Sequence, residues 1–572
     1  MRKTGTKEFW LLAITALLVL GAGLGMRDPW PSDEPRFALV AKQMFESGDW
    51  LFPHRGIELY SDKPPMLMWL QAAFYGLLRD WRVAFLLPSL LAALGTLACV
   101  YDLGRRLWTR RVGLYAAWAL LFTLQFTFQA KKAQIDPLVV FYITLANYGL
   151  LRHLLLGPSW RWWTLGWFCA GLGVITKGVG VIALLMLLPA AFAARAGWPR
   201  VKVGLRDARF WLGPLAFLLA IALWLVPVVA VALSAGEPEY RSYLNDILFR
   251  QTAKRYANSW DHPQPPWYHL TTMLTMWVPA ILALPWAIPA WRRRLRRRDA
   301  RYLLPLAWWL LVVVFFSIPS GKRDVYILPA LPMYCLALAP LLPGLLRKRG
   351  VQWLAWGFTV LLVVVCFAGG LAMLFGDPAF ERKLMDSRGA ADHVGAAIAW
   401  ILLAGGAWGV AALSWLRLRG AVVALLSWLA VVWVLYSLVG YQVLNESSSA
   451  RGVMADVGRR IGPQAELGLV AWKEQNLLMA DRPAANFGFK VPWSEQLRRG
   501  VAWQAEQPQQ RWLLVQEPAL QACIDRDRSE LVGVANRRRW WLVPADAVVG
   551  PCVPSAEELR HERQEQGNID AE

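Results

Sequence analysis

Charged residues are scarce in this chain of 572 residues: they make up 18% of it, against 56% hydrophobic residues. A soluble protein of this length folds into several domains, and each domain needs a large polar surface. This composition cannot supply that surface, so a soluble multidomain enzyme is excluded. Acidic residues are fewer than basic ones, with 40 Asp and Glu against 61 Lys and Arg. Because the positive charge lies in short clusters between apolar runs, it is typical of the loops of a polytopic membrane protein and not of a nucleic-acid-binding protein.

Cysteine is also rare, with six residues in the whole chain and no CxxC pair. A P-loop and a Ser-His-Asp spacing are likewise missing, so the chemistry that depends on them is not indicated. Cys99, Cys169, Cys335 and Cys366 lie inside apolar runs and are expected to be packing residues. Cys523 and Cys552 lie in the C-terminal segment, where an outward location permits a disulfide. The sequence leaves open whether those two residues approach each other. Trp and Pro, by contrast, are abundant, as expected for membrane interfaces and membrane helices.

Thirteen apolar runs approach the roughly 20 residues that a transmembrane helix needs. The first has basic flanks at Arg2, Lys3 and Lys7 and lacks a small-residue cleavage site, so we expect a retained helix and not a signal peptide. The fifth and sixth runs are short and closely spaced, so the predicted number of membrane spans is thirteen to within one or two. The runs are 9–26, 83–103, 112–129, 137–156, 162–176, 179–194, 210–234, 270–290, 302–318, 326–345, 352–375, 394–415 and 421–441.

Basic clusters follow only the even-numbered runs. If the N-terminus is cytoplasmic, all of these clusters are cytoplasmic too, as the positive-inside rule requires. The odd loops and the C-terminal segment then face outward, into a periplasm if the host is Gram-negative. The sequence thus predicts a multi-pass protein of the bacterial inner membrane. The clusters contain Arg105, Arg106, Arg110 and Arg111; Arg195, Arg200, Lys202, Arg206 and Arg209; Arg292–Arg294 and Arg296–Arg298; Arg347–Arg349; Arg417 and Arg419.

The composition changes near residue 445. Residues 1–444 form the predicted transmembrane domain, whereas 445–572 lack any long apolar run. In the second part, short apolar stretches such as Leu467–Trp472 alternate with polar segments of helical character. We predict a small periplasmic α/β domain there, with a charged, mobile tail from about Ser555.

The first outward loop, residues 27–82, is rich in polar residues. Ser32, Asp33 or Glu34 can cap a helix, and Pro35 suits its first turn. Apolar residues then recur with the spacing of an amphipathic helix that ends at Gly48, and a second helical segment follows Pro64 and Pro65. Such helices would lie along the membrane face and form the floor of a cavity. The apolar stripe of the first helix consists of Phe37, Val40, Ala41, Met44 and Phe45.

Ionisable residues collect at the outward ends of several runs. Taken singly, such charges are also explained as solvated helix caps. Taken together, they all fall on the outward side of the membrane in the topology above, which was assigned from other residues. Ionisable groups at membrane depth are usually functional. The set comprises Asp33, Glu34 and Arg36; Asp62 and Lys63; Lys131, Lys132 and Asp136; Lys177; and Lys322, Arg323, Asp324 and Tyr326.

This mixture of cations and carboxylates indicates a phosphate ligand. Lys binds phosphate as a point charge and Arg binds it in a bidentate manner. A carboxylate beside them suits a general base or a group that orients an acceptor. A lipid-phosphate-linked substrate needs this pairing, because its chain requires an apolar slot and its head group requires cations.

Long motifs in the same regions resemble the membrane glycosyltransferases of the GT-C type. The chain is most similar to the bacterial protein-mannosyltransferase-like group that includes the aminoarabinose transferase acting on lipid A. The resemblance covers runs one to ten in the right order, whereas the C-terminal third matches only in layout. The motifs are SDEPRFALVAKQMFESGDWLFPH, Tyr60-Ser61-Asp62-Lys63-Pro64-Pro65, Asp136-Pro137, Thr176-Lys177-Gly178, Gly321-Lys322-Arg323 and Tyr326-Ile327-Leu328-Pro329.

The resemblance implies transfer of a sugar, a hexose or a pentose, from an undecaprenyl-phosphate carrier to an outward-facing acceptor such as lipid A, lipopolysaccharide or protein. Asp33, with Glu34 beside it, is then the base or acceptor-orienting carboxylate, and Arg36 is its basic partner. Lys63 holds the leaving phosphate. The resemblance also places further residues in the cavity, namely Asp136 among the catalytic ones and Lys177, Arg255, Lys322 and Tyr326 among the substrate-binding ones.

Two departures from the family pattern concern a metal and the substrates. The aminoarabinose branch carries a metal-linked Glu where this chain has Asp62, so Asp62 and His262 form a candidate divalent-metal pair. A loop histidine with no ligand role is the favoured explanation of His262, and two ligands are too few for a closed zinc site. The branch also has Lys-Leu-Pro before its Tyr, where this chain has Lys322-Arg323-Asp324-Val325. These differences leave the sugar, the acceptor and the metal requirement open.

Two other function classes compete with a transferase. A secondary transporter or lipid flippase would place charges near the middle of the spans and would show related halves with broken helices. Here the charges gather at one side, and no internal repeat is evident. A noncatalytic assembly protein would tolerate substitution of Asp33 and Lys63.

Overall fold

The computed structural model describes residues 2–204, 206–248, 263–376 and 393–556, together with 558–560, 562 and 564. Its N-terminal part is almost entirely helical. The α-helices are α1 Arg2–Gly21, α2 Glu34–Ser47, α3 Met66–Leu78, α4 Trp81–Ala84, α5 Leu87–Leu107, α6 Arg110–Leu121, α7 Leu124–Ala130, α8 Ile135–Leu156, α9 Trp160–Lys177, α10 Leu187–Arg195, α11 Leu212–Ser234, α12 Pro238–Asn245, α13 Tyr268–Met276, α14 Leu284–Arg296, α15 Ala300–Ser317, α16 Leu331–Leu338, α17 Leu342–Leu345, α18 Arg349–Phe375, α19 His393–Leu416, α20 Ala421–Leu435 and α21 Tyr441–Ser449.

Eight helical segments in the described residues are long and apolar enough to cross a membrane, or ten if each of two bent pairs counts as one span. The bent pairs are α6 with α7, at 70°, and α13 with the segment Ala280–Arg296, at 99°. Ten of the thirteen predicted runs coincide with these spans. The other three lie in α1, in α9 and in Val179–Arg195, which are helical but are not among the ten. The predicted polytopic helical architecture is therefore confirmed.

The basic end of α5 contacts the start of α15. The C-terminal turn of α5 carries Arg105 and Arg106, and α15 begins at Ala300. Arg301 Nη1 donates a hydrogen bond to the carbonyl oxygen of Leu107 across 3.1 Å, so the two ends are in contact. Since α5 begins near Arg82 and the first loop, its basic end lies at the opposite end of the helix from that loop.

The C-terminal part contains a mixed sheet of five strands, β3 Glu466–Val470, β4 Ala484–Asn486, β5 Arg511–Gln516, β6 Glu530–Ala535 and β7 Arg538–Val543. Their order in the sheet is β4-β3-β5-β7-β6. The parallel strands are β3 and its two neighbours, and the antiparallel pairs are β5 with β7 and β7 with β6. This confirms the predicted α/β character of the segment. Its α-helices are α22 Arg451–Ile461, α23 Glu474–Met479 and α24 Trp493–Glu506.

Three details of the C-terminal part bear on the sequence predictions. Cys523 and Cys552 form a disulfide, the pairing that the sequence left open. The domain boundary at 444/445 stays a prediction, because that position lies inside α21, within the continuous helical segment Leu418–Ser449. The predicted charged tail from about Ser555 lies largely outside the described residues.

Helix α2 lies between the membrane bundle and the C-terminal part. Its predicted apolar stripe packs into the main core of the bundle, where Phe37, Val40 and Met44 are buried. Its other face is buried too, because Ala38 and Leu39 belong to a second core formed with residues of the C-terminal sheet and helices. Both faces of the helix are therefore covered, and its N-terminus is fixed at the junction of the two parts. A short hairpin after α2, β1 His54–Arg55 and β2 Glu58–Leu59, contacts the same C-terminal part.

A buried aspartate fastens the first loop to the C-terminal part. The Asp28 carboxylate accepts hydrogen bonds from Arg82 Nε at 3.0 Å, from Arg451 Nε at 2.6 Å and from Asn445 Nδ2 at 2.7 Å. Burial alone would raise the pKa of Asp28, but these donors outweigh it and hold that pKa below its usual range. The charge of Asp28 is thus stabilised where the first loop, α4 and the start of α22 meet.

Candidate functional site

Asp33 occupies the N-cap position of α2 without serving as a cap. Its side chain makes no capping hydrogen bond, although the sequence predicted one from Ser32, Asp33 or Glu34. Instead its Oδ2 accepts a hydrogen bond from Gln134 Nε2 at 3.0 Å, and its Oδ1 lies 3.7 Å from Arg36 Nη1. The carboxylate stays 18% exposed. It therefore lies between the first loop and the residue before α8, and part of its surface is open to solvent.

Glu34, the next residue, is buried and hydrogen-bonded through both carboxylate oxygens. Both of its carboxylate oxygens accept hydrogen bonds from Arg27, at 2.5 and 2.7 Å, and the two side chains are 5% and 3% exposed. The backbone N–H groups of Trp30 and Ala133 donate to the same carboxylate. With its acceptor sites occupied and little surface in contact with solvent, Glu34 is suited to fixing the loop and not to accepting a proton from a substrate.

A chain of alternating charges extends from Asp33 into the C-terminal part. Arg36 Nε donates to Glu474 Oε1 at 3.1 Å, and Arg55 Nη1 donates to the same oxygen at 3.3 Å. Arg55 also lies 3.7 Å from Asp62 Oδ2. Although burial opposes the charged form of Arg36, the carboxylates of Glu474 and Asp33 raise its pKa above the ordinary value. The order of charges is Asp33, Arg36, Glu474, Arg55 and Asp62.

Tyr60 lies against this chain of charges. Its side chain is buried, and its hydroxyl makes no hydrogen bond within the part of the chain that the structure describes. Burial raises the pKa of Tyr60, and the neighbouring Arg36 and Arg55 counter part of that shift. Tyr60 is thus a neutral hydroxyl that can donate a hydrogen bond to an anion. Lys63, three residues on, is half-buried and makes contacts of its own within the described structure.

A second ion pair links α8 and α9 at the same end of the bundle. Asp136 lies in the first turn of α8 and Lys177 in the last turn of α9, the positions that the helix dipoles favour for these signs. Gly178 ends α9 in a left-handed conformation, with φ of 82°, that glycine adopts at little cost. Lys177 Nζ lies 2.5 Å from Asp136 Oδ1 and 5.3 Å from the centre of the Tyr326 ring. The structure therefore brings together the three cavity residues that the sequence selected there.

Two lysines between α7 and α8 complete this end of the bundle. Lys131 donates to the carbonyl oxygen of Ala22 at 3.0 Å, and burial lowers its pKa to about 7, with the charge of Arg27 acting in the same direction. Burial also lowers the pKa of Lys132, while the charges of Glu34, Asp324 and Asp33 act against that shift. Because those three carboxylates act on one ammonium group, the first loop, the start of α8 and the segment before α16 converge here.

Some of the other sequence-selected residues lie elsewhere or outside the described structure. Lys322 is buried, and its Nζ donates to the carbonyl oxygens of Gln264, at 3.0 Å, and Ser320, at 3.4 Å, so it fastens two loops together. Arg255 and His262 lie outside the described residues. Within the described residues, no group of three or more His, Cys, Asp and Glu side chains could hold a metal. The pairing of Asp62 with His262 therefore stays a prediction.

Sequence reasoning missed the residues that depend on long-range packing. Glu474 lies more than 400 residues from Arg36 and Arg55, and no local pattern connects them. Arg27 precedes the polar motif of the first loop and looks like an ordinary interfacial residue in the sequence. Gln134 is an uncharged residue between two charged motifs. The one available signal was the density of polar residues at 131–136, from which only the charged members were selected.

Known proteins resemble this chain in sequence over part of its length. A family model described as dolichyl-phosphate-mannose-protein mannosyltransferase matches residues 62–230. The undecaprenyl phosphate-alpha-4-amino-4-deoxy-L-arabinose arabinosyl transferase of Pectobacterium carotovorum is 30% identical over 389 residues, 64% of this chain and 66% of the relative. The protein of the same name from Pseudomonas savastanoi is 30% identical over 390 residues, 66% of this chain and 69% of the relative. The matched region thus spans about two thirds of the length of these curated relatives.

Solved structures match nearly the whole chain. The crystal structure of ArnT from Cupriavidus metallidurans bound to undecaprenyl phosphate has a TM-score of 0.70 and 18% identity, and it covers 96% of this chain and 99% of its own. The apo structure of the same protein has a TM-score of 0.70 and 20% identity. At this identity the likeness shows the fold. It confirms the predicted arrangement of a helical membrane domain followed by a small C-terminal domain.

Proposed function

Because this chain belongs to the membrane glycosyltransferase family of the undecaprenyl phosphate-4-amino-4-deoxy-L-arabinose arabinosyl transferases, we propose that it transfers that aminosugar from undecaprenyl phosphate to lipid A. The family resemblance predicted from the motifs is confirmed. The observation that carries the proposal is the position of Asp33, a partly exposed carboxylate beside Arg36 at the convergence of the first loop with α8. Acceptor and leaving group would meet there.

In the proposed reaction, an acceptor oxygen attacks the anomeric carbon of the sugar while the bond from that carbon to the carrier phosphate breaks. Asp33 orients the acceptor and, where the acceptor is a hydroxyl, takes its proton. Undecaprenyl phosphate leaves with the bonding electrons. Lys63 stabilises the charge on that phosphate, and Lys177 and Tyr326 line the cavity. Glu34 takes no proton in this scheme, because Arg27 and two backbone N–H groups occupy its carboxylate.

The proposed location is a bacterial inner membrane, with a cytoplasmic N-terminus and a periplasmic C-terminal domain. The contact between Arg301 and Leu107 supports this orientation, because it joins two basic span ends at the end of α5 away from the first loop. The positive-inside rule would place that end in the cytoplasm and the site on the outer side. A periplasmic location also suits the disulfide between Cys523 and Cys552.

The proposal is tested with purified full-length protein, radiolabelled undecaprenyl-phosphate aminoarabinose, and lipid A or an unfolded protein as acceptor. We expect label to appear in lipid A. Lys63→Ala should raise the KM for the donor at least about tenfold, because one phosphate contact by a cation contributes about 1.4 kcal/mol or more. Lys42→Ala is the matched control, since Lys42 lies in the same loop and pairs only at long range with Glu46 on the surface. Label found in protein would assign a different acceptor, and failure to bind the carrier lipid would refute the proposal.

The ion pair between Asp136 and Lys177 provides a second prediction. Lys177→Gln should lower kcat/KM by about 10- to 100-fold, because it leaves an unpaired carboxylate facing a phosphate-binding cavity. The double variant Asp136→Asn, Lys177→Gln should recover part of that loss, since it removes the unpaired charge as well. The four proteins of this cycle are compared in the transfer assay. Strictly additive losses would show that the pair does not act as a unit.

A further inference from the structure

Glu474 is the one residue of the C-terminal part that forms an ion pair with both arginines of the described charge chain. It is the first residue of α23, and its carboxylate is only 4% exposed. Its Oε1 accepts hydrogen bonds from Arg36 Nε at 3.1 Å and from Arg55 Nη1 at 3.3 Å. Both arginines belong to the first loop, which places the C-terminal part in direct contact with the site.

Each arginine that Glu474 holds also lies near a carboxylate of the site. Arg36 lies 3.7 Å from Asp33, and Arg55 lies 3.7 Å from Asp62. At 3.7 Å the carboxylates of Asp33 and Asp62 are too far away to hydrogen-bond the guanidinium groups. The oxygen of Glu474 hydrogen-bonds both groups and so holds them in place. Arg55 is further restrained by the Phe489 ring, whose centre lies 3.7 Å away and which also belongs to the C-terminal part.

Removal of the Glu474 charge would leave two guanidinium groups close together with no anion between them. Like charges at low dielectric repel strongly, so the two side chains would separate, Arg36 toward Asp33 and Arg55 toward Asp62, the carboxylates that remain 3.7 Å from each. Arg36 would then no longer be held between Glu474 and Asp33, and the closer contact would shift the Asp33 carboxylate from its present position. A displacement of about 1 Å at a reacting group is enough to slow an enzyme by about 100-fold.

From this geometry we infer that Glu474 is a positioning residue of the transfer site, through which the docked C-terminal domain sets the arrangement of Arg36 and Asp33. The inference rests on the proposed function. It implies that the membrane part alone does not form a competent site, because one of the charges that order the first loop comes from α23.

The test compares Glu474→Gln with Glu495→Gln in the full-length protein. Glu495 is the matched control, since it too pairs with two arginines, but these are Arg498 and Arg499 on the solvent-exposed face of its own helix, α24. We expect Glu474→Gln to lower kcat about 10- to 100-fold with a change in donor KM below about threefold. Glu474→Asp should restore part of kcat, and Glu495→Gln should match the wild type.

Two further measurements keep the inference falsifiable. A double-mutant cycle combines Glu474→Gln with Arg36→Gln. The loss of kcat in the double variant should be much smaller than additivity of the two single losses requires, because both variants remove the same ion pair. Additive losses, or a Glu474→Gln protein as active as Glu495→Gln, would overturn the inference while leaving the transferase intact. A Glu474→Gln protein that loses both donor binding and thermal stability would overturn it as well, since the residue would then only stabilise the fold. A wild-type protein that transfers no sugar refutes the proposed function instead.

Discussion

Asp33→Asn is expected to lower kcat for sugar transfer by about 1,000-fold, within the range of 10²- to 10⁴-fold that a positioned acid or base contributes. The amide keeps the size of the side chain and a contact with Gln134, but it cannot take a proton or pair with Arg36. Binding of the undecaprenyl-phosphate donor should persist, because the proposed phosphate contacts come from Lys63 and its neighbours. The measurement is a steady-state transfer assay together with binding of the labelled carrier.

Glu46→Gln is the control for that experiment. Glu46 lies on the same helix, α2, is 59% exposed and pairs with Lys42 only at 3.9 Å, so its removal should leave kcat and KM unchanged. An Asp33→Asn enzyme with the kcat of the wild type would contradict the assignment of Asp33. A loss of donor binding in that variant would show that Asp33 acts on the carrier and not on the acceptor.

Glu34→Ala is expected to destabilise the fold by about 3 to 5 kcal/mol, the cost of breaking a buried ion pair by removing one partner. The change leaves Arg27 buried without its carboxylate and removes the acceptor for the Trp30 and Ala133 backbone N–H groups. Thermal unfolding in detergent measures the effect as a lower midpoint and a lower yield of folded protein. Residual transfer activity should fall in proportion to the folded fraction.

Substitutions of the adjacent residues Asp33 and Glu34 should therefore have different effects, the first on activity and the second on stability. Asp33→Asn should unfold at the temperature of the wild type and lack activity, whereas Glu34→Ala should lose stability first. Replacing both partners of the sealed pair, as in Arg27→Met with Glu34→Leu, should recover part of the lost stability, because no uncompensated charge is left buried. Wild-type stability of Glu34→Ala would contradict the structural role, and a folded but inactive Glu34→Ala protein would make it part of the chemistry.

The sequence was sufficient to predict the features that depend on local composition. The apolar runs predicted the helices, and the spacing of Phe37, Val40 and Met44 predicted the buried stripe of α2. Gly48 predicted where α2 would end. These features follow from hydrophobic periodicity and backbone preferences, which act over a few residues.

The sequence could not predict which charged residues make structural contacts and which stay accessible to a substrate. Asp33 and Glu34 are neighbours of the same charge, and only tertiary contacts with Arg27 and Ala133 show that one is sealed. The motif of Lys322 predicts a substrate ligand, which stays a prediction, and it does not indicate the contacts of this side chain with the carbonyl oxygens of Gln264 and Ser320. Glu474 required knowledge of how the C-terminal domain docks. Each of these outcomes depends on partners that are distant in the chain, for which a single sequence contains no signal.

We propose that sugar transfer at this site depends on one carboxylate, that of Asp33. The most direct measurement is mass spectrometry of lipid A after incubation with undecaprenyl-phosphate aminoarabinose and either wild-type protein or Asp33→Asn. We expect wild-type protein to add the aminosugar to lipid A and to release undecaprenyl phosphate in equal amount. The Asp33→Asn protein should bind the donor but leave both substrates intact. Equal product from the two proteins, or donor binding by wild-type protein without any transfer, would contradict this proposal.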